Sequence, residues 1–104
     1  MKRIAIVGGG IAGLTAAYEL ALRARDGDPI HAILFESSPR LGGIIETIRE
    51  GGFLIEGGPD GWMTEKPWAT ELAHELGLED ELLPCNEDDR RTYVLRDGDR
   101  KSVV

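Results

Sequence analysis

The chain has 104 residues, 41% of them hydrophobic and 30% charged, enough for one small domain. A formal charge of −7 disfavours nonspecific nucleic-acid binding and leaves no polybasic membrane patch. One cysteine, Cys85, rules out an internal disulfide and fits a reducing compartment, and no apolar run approaches the roughly 20 residues of a transmembrane helix. A first strand beginning by Arg3 leaves no room for a signal or transit peptide, so the expected location is the cytoplasm, or the cytoplasmic membrane surface through contacts lying elsewhere.

The β-branched run Ile4-Ala5-Ile6-Val7 reads as a strand, and Gly8-Gly9-Gly10-Ile11-Ala12-Gly13 follows it directly. In this G-x-G-x-x-G pattern Gly8 serves a tight strand-to-helix turn. Gly10 lets the backbone approach a pyrophosphate, and Gly13 lets the helix pack on the strand. The free N–H groups and positive dipole end of the new helix then face the phosphates. The helix is predicted from Ile11 to Arg25, with Leu14, Ala17, Tyr18, Ala21 and Leu22 near helical spacing, and Gly27 and Pro29 stopping it. A second strand, Ile30 to Phe35, delivers Glu36 close to the ~20-residue separation expected of the acidic residue that accepts hydrogen bonds from a ribose. The same carboxylate repels a 2′-phosphate and disfavours NADP. The bland alternative, a glycine-rich turn without a ligand, does not account for the strand before it, the helix after it and the acid beyond.

Arg40-Leu41-Gly42-Gly43 comes next, and then Ile44 to Ile48 and Gly52 to Ile55 read as two short strands around Glu50-Gly51-Gly52. Glu56-Gly57-Gly58-Pro59-Asp60-Gly61 is too rich in glycine and proline for strand or helix. It is either a surface turn or a backbone surface laid against a ligand. Thr64 is expected to cap a helix from about Glu65 to Leu76, with Pro67 in its first turn and Trp68, Leu72 and Leu76 as a core-facing stripe. Glu79-Asp80-Glu81 suits a short second helix, Cys85 to Asp89 an exposed polar segment, and Asp97-Gly98 the turn of a hairpin joining Thr92–Leu95 to Lys101–Val104.

The fold class is therefore α/β: the N-terminal βαβ part of a Rossmann-like dinucleotide-binding domain, followed by short hairpins and helices. The domain is incomplete, because no third parallel strand follows. Residues 1–104 read as the N-terminal segment of a longer enzyme, with about 62–104 beginning a substrate domain or interdomain elements. His31 and His74 have no metal-ligand spacing around them, Cys85 has no C-x-x-C partner, and no side chain is assigned as catalytic. Trp62 and Trp68 read as packing residues. Arg90 and Arg91 are either a solvated turn or a site for an anionic substrate, since guanidinium matches carboxylate in a fork.

Ile6 to Leu14, taken whole, resembles the flavin amine oxidase superfamily. The E-x-x-x-R-x-G-G run from Glu36 to Gly43, the Gly58-Pro59-Asp60 loop and the segment Glu75-Leu76-Gly77-Leu78 to Leu82-Leu83-Pro84 narrow the resemblance to its porphyrinogen oxidases, acting on protoporphyrinogen IX or coproporphyrinogen III. The longer connection from Ala24 to His31 is similar to their soluble bacterial branch. The resemblance implies an FAD enzyme of haem biosynthesis that oxidises a porphyrinogen to a porphyrin, with O2 as oxidant and hydrogen peroxide as product. It implies that Gly8, Gly9, Gly10, Ile11, Ala12 and Gly13 hold the pyrophosphate, and that Glu36 and Ser37 bind the adenosine ribose. Arg40, Gly42, Gly43 and Ile44 would line the route towards the ring, and Gly58, Pro59, Asp60 and Gly61 would sit by the isoalloxazine. Arg90 or Arg91 would meet a substrate propionate. Family members carry several hundred further residues, so this chain alone is expected to be inactive, and its open sheet edges offer a route to self-association. An amine oxidase or desaturase of the same superfamily, or a non-catalytic nucleotide-binding module, are the alternatives.

Overall fold

A computed structural model describes residues 1–89 and 92–103. Strand β1 (Lys2–Val7) enters helix α1 (Ile11–Arg25), and β2 (Ile30–Phe35) returns parallel to β1, in register from Lys2 opposite Ile30 to Val7 opposite Phe35. This is the predicted βαβ start. Hydrogen bonds from Lys2 N–H to Pro29 O (2.6 Å) and from Gly8 N–H to Phe35 O (2.8 Å) extend the ladder at both ends. Helix α1 ends where its sequence changes: Gly27 takes φ +107°, its N–H reaches Ala24 O, and Arg23 pairs with Asp28 at 2.8 Å.

The two strands turn Ile4, Ile6, Ala32 and Leu34 towards α1, where all four are half-buried. The other face carries Ala5, Val7, Ile33 and Phe35, with Val7 87% and Phe35 54% exposed. One helix over two strands covers one face only, and no hydrophobic side chain of β1, α1 or β2 is fully buried; Ala73 (7% exposed), in the second half of the chain, is the one buried hydrophobic side chain among the described residues. Leu14, Ala17, Tyr18 and Leu22 are half-buried as their spacing requires, whereas Ala21 is exposed.

The chain divides into two units, Met1–Gly61 and Trp62–Val104. The first also holds the antiparallel hairpin of β3 (Thr47–Glu50) and β4 (Phe53–Glu56). Its strands start later than the β-branched run at Ile44 suggests. Gly43 and Ile44 form a turn in which Ile45 N–H returns to Gly42 O (3.1 Å), so glycine geometry overrides the local β-propensity.

In the second unit, α2 (Trp68–Glu75) starts three residues after the expected Glu65. Pro67 is its N-cap, and the residue before a proline is disfavoured in the helical region, so Thr64 and Glu65 lie in a separate turn. Trp68 is 71% exposed and Leu76 is exposed as well; of the expected stripe only Leu72 is half-buried. The Trp62 indole N–H donates to Thr70 Oγ1 at 2.9 Å. Glu79–Glu81 is a single 3₁₀ turn, Cys85 is exposed, Glu87–Asp89 forms a second 3₁₀ turn, and β5 (Thr92–Arg96) pairs with β6 (Asp99–Val103) across Asp97 (φ +53°) and Gly98 (φ +76°). Among the described residues, no helix is long and apolar enough to cross a membrane.

Candidate dinucleotide site

The β1–α1 turn is built on two glycines. Gly8 has φ +102°, a conformation that L side chains rarely adopt. A Cβ on Gly13 would lie 3.0 Å from the Gly8 carbonyl carbon and closer still to its oxygen, so the first turn of α1 rests directly on the end of β1. Gly10 is the N-cap, with no side-chain hydrogen bond to the helix, and Leu14 N–H is the first to reach back, to Gly10 O at 2.9 Å. The amides of Ile11, Ala12 and Gly13 thus have no acceptor inside the helix, and the dipole adds positive potential there.

Glu36 stands beside this turn, at the end of β2. Its carboxylate accepts from Gly9 N–H at 2.6 Å and from Ser38 N–H at 2.8 Å, with the Ser37 hydroxyl at 3.4 Å. These donors, Ser38 first and then Gly9, hold its carboxyl below the ordinary value of 4.5, so Glu36 is an anion at neutral pH.

The second glycine cluster closes onto the first. Gly42 N–H donates to Gly9 O at 2.8 Å, Gly10 and Gly42 form a parallel bridge, and a Cβ on Gly43 would lie 3.2 Å from Gly10 Cα. Arg40 lies within its own loop: its guanidinium donates to the carbonyls of Leu41, Gly43 and Ile45, and Glu46 stands 3.7 Å from its Nε. The third cluster reaches the second through Gly58, whose Cβ would clash with the Ile44 carbonyl, and through Gly57 N–H, which donates to Glu46 O at 2.8 Å.

One continuous backbone surface therefore joins Gly8–Gly13, Glu36, Gly42–Ile44 and Gly58. Ser37, Pro59, Asp60 and Gly61 are exposed residues continuing from it. Arg90 and Arg91 lie outside the described residues. Three participants escape a motif reading. Ser38 supplies the N–H to Glu36 and a hydroxyl bond to Arg40 O (2.6 Å), Leu41 leaves no room for a Cβ on Gly9, and Glu46 faces Arg40. A serine two residues after a carboxylate is a local-turn signal that could have pointed to the first. The concavity at the β3–β4 tip, Arg49 to Leu54, shares no residue with this surface. No cluster of three or more metal-ligand side chains occurs among the described residues.

Known proteins are similar to this chain. Coproporphyrinogen III oxidase of Bacillus subtilis (strain 168) is 40% identical over 95 residues, 90% of this chain and 20% of the relative. That of Staphylococcus aureus is 42% identical over 83 residues, 79% of this chain and 17% of the relative. A crystal structure from Exiguobacterium sp. 255-15, provisionally named a protoporphyrinogen oxidase, superposes with a TM-score of 0.66 at 44% identity, covering 76% of this chain and 17% of that one. The chain thus spans about a fifth of the length of the curated relatives it matches. The family model for flavin containing amine oxidoreductases matches residues 11–103, nearly the whole chain, and the chain belongs to that family.

Proposed function

We propose that this chain is the FAD-binding N-terminal part of an oxygen-dependent porphyrinogen oxidase of haem biosynthesis, acting on coproporphyrinogen III or protoporphyrinogen IX. The observation that carries the reading is the convergence of three glycine clusters on one backbone surface beside an anionic Glu36. The names and identities of the relatives support the porphyrinogen half.

The residues present fit a dinucleotide. Bare glycine backbone offers close approach, and the α1 amides and dipole favour a pyrophosphate at Gly8 to Gly13. Glu36 Oε2 accepts one backbone N–H and has a lone-pair direction for a ribose hydroxyl, while Oε1 accepts from Ser38 N–H and, at 3.4 Å, from the Ser37 hydroxyl. Its charge opposes a 2′-phosphate. Gly42, Gly43, Ile44 and the Gly58–Gly61 loop would hold the part of the cofactor nearer its ring, with Arg40 setting the shape of that stretch. Bound flavin supplies a two-electron acceptor that O2 reoxidises, giving hydrogen peroxide. This chain's part is to bind and orient, and Arg90 and Arg91 remain candidates for a substrate propionate. One cysteine fits the reducing cytoplasm.

Titration of the chain with FAD, followed by quenching of flavin fluorescence, tests the binding half. Saturable binding that NADP does not compete with is the expected result; no binding refutes it. Full-length protein carrying this segment should turn coproporphyrinogen III or protoporphyrinogen IX fluorescent in air. Turnover of an amine or a carotenoid instead would assign it to another branch.

A further inference from the structure

Arg40 lies two residues before Gly42, which bonds the candidate phosphate turn, and a cation so placed invites the reading that it binds phosphate. Its hydrogen bonds say otherwise. A guanidinium has five N–H donors and no acceptor. In this loop Nη1 donates to Ile45 O at 2.9 Å and to Leu41 O at 3.2 Å, Nη2 donates to Gly43 O at 2.5 Å, and Nε faces Glu46 Oε1 at 3.7 Å. Three of the five hydrogens are thus spent on carbonyls of its own loop, and the Nε hydrogen faces the Glu46 carboxylate, whose charge opposes a phosphate there.

We propose that Arg40 is a positioning residue, a staple that gathers the carbonyls of Leu41, Gly43 and Ile45 into one turn and so holds the second glycine cluster against the first. The proposal deepens the dinucleotide reading and rests on it for its link to the cofactor.

The two glycines that follow divide the work. A Cβ on Gly42 would lie 3.1 Å from Arg40 Nη1 and 3.1 Å from Ile45 O, so Gly42 admits the guanidinium. A Cβ on Gly43 would lie 3.2 Å from Gly10 Cα, so Gly43 admits the first glycine loop. Both have positive φ, +108° and +59°; the Gly43 carbonyl accepts from the guanidinium, and the Gly42 carbonyl accepts from Ile45 N–H and closes the turn. The spacing R-x-G-G is thereby a structural unit: a fork, a spacer, a residue that lets the fork through and a residue that lets the neighbouring backbone in. Lysine cannot replace the fork, because an ammonium on a flexible stem lacks the fixed donor geometry that reaches all three carbonyls at once.

Arg40→Lys and Arg40→Gln variants of the chain test this by amide hydrogen exchange without ligand and by FAD titration over a range of salt concentrations. The staple predicts that Arg40→Lys, like Arg40→Gln, speeds exchange of the Gly42 and Ile45 amides about tenfold and weakens FAD binding by a similar factor, with the salt dependence of binding as in the parent chain. A Gly42→Ala, Arg40→Lys double variant should lose less than the sum of the single losses, since both displace the same guanidinium. Unchanged Gly42 and Ile45 exchange in Arg40→Lys would overturn the staple. So would full FAD affinity in Arg40→Lys with loss only in Arg40→Gln, together with a flattened salt dependence, because that pattern marks a charge acting on the ligand. If the parent chain bound no FAD, the flavin reading would fail and the exchange measurement would still decide the staple.

Discussion

Gly13→Ala separates two opposed effects of a single methyl group. In an ordinary helix the change stabilises by roughly 0.5–1 kcal/mol, because glycine has more backbone freedom to lose on folding. Here the new Cβ would sit 3.0 Å from the Gly8 carbonyl carbon, closer still to its oxygen, and 3.5 Å from Ile6 Cγ2. Carbon atoms in contact settle at about 3.5–4.0 Å, so α1 must retreat from β1 by on the order of 1 Å. The obstacle is backbone, which cannot swing aside as a side chain would, and overpacking of this kind costs about 1–3 kcal/mol or more. The clash exceeds the propensity gain, giving a net loss of about 1–2 kcal/mol. Because the retreat carries the α1 amides away from the turn, FAD affinity should fall by about tenfold to a hundredfold. Urea denaturation and FAD titration measure the two effects. Gly57→Ala, whose Cβ would meet only Glu46 at 3.5 Å or more, is the control and should change stability by less than about 0.5 kcal/mol. A Gly13→Ala chain as stable as its parent, with undiminished FAD affinity, would refute the packing argument.

Glu36→Gln should remove a pH-dependent stability difference. The folded carboxyl is held below 4.5, so its contribution is fully present above the unfolded value and is lost as pH falls through the lowered folded value. Denaturation of both chains between neutral and strongly acidic pH should show the gap closing on the acid side; a constant gap contradicts the assignment. Gly58→Ala places a methyl against the Ile44 carbonyl and should cost about 1–3 kcal/mol, read as a lower urea midpoint; an unchanged midpoint would separate the third cluster from the second. The chain alone should elute above monomer mass on size exclusion with light scattering, since β1 and β2 leave an open edge each and Val7 is 87% exposed. A monodisperse monomer at high micromolar concentration contradicts this.

Sequence pattern reached furthest where interactions are local or periodic. The bounds of α1, Ile11 to Arg25, and of β2, Ile30 to Phe35, were readable because alternation, helical spacing and the Gly27–Pro29 stop agree. Glu36 was readable as the acid at the strand end. The pattern misled at Ile44, where β-branched residues sit in a turn imposed by two positive-φ glycines, and at Thr64, where the proline three residues on pre-empts the cap. The inward bonding of Arg40 was invisible, because a charge and its spacing do not reveal which carbonyls a glycine turn will offer. The contact of Gly42 with Gly9 spans more than thirty residues and belongs to the topology, not to any local window.

The most direct test replaces the matching N-terminal segment of the Bacillus subtilis coproporphyrinogen III oxidase, 40% identical over 95 residues, with this chain. The chimera should purify yellow, release FAD on denaturation and turn coproporphyrinogen III fluorescent in air. A folded chimera that is colourless and carries no flavin would contradict the account.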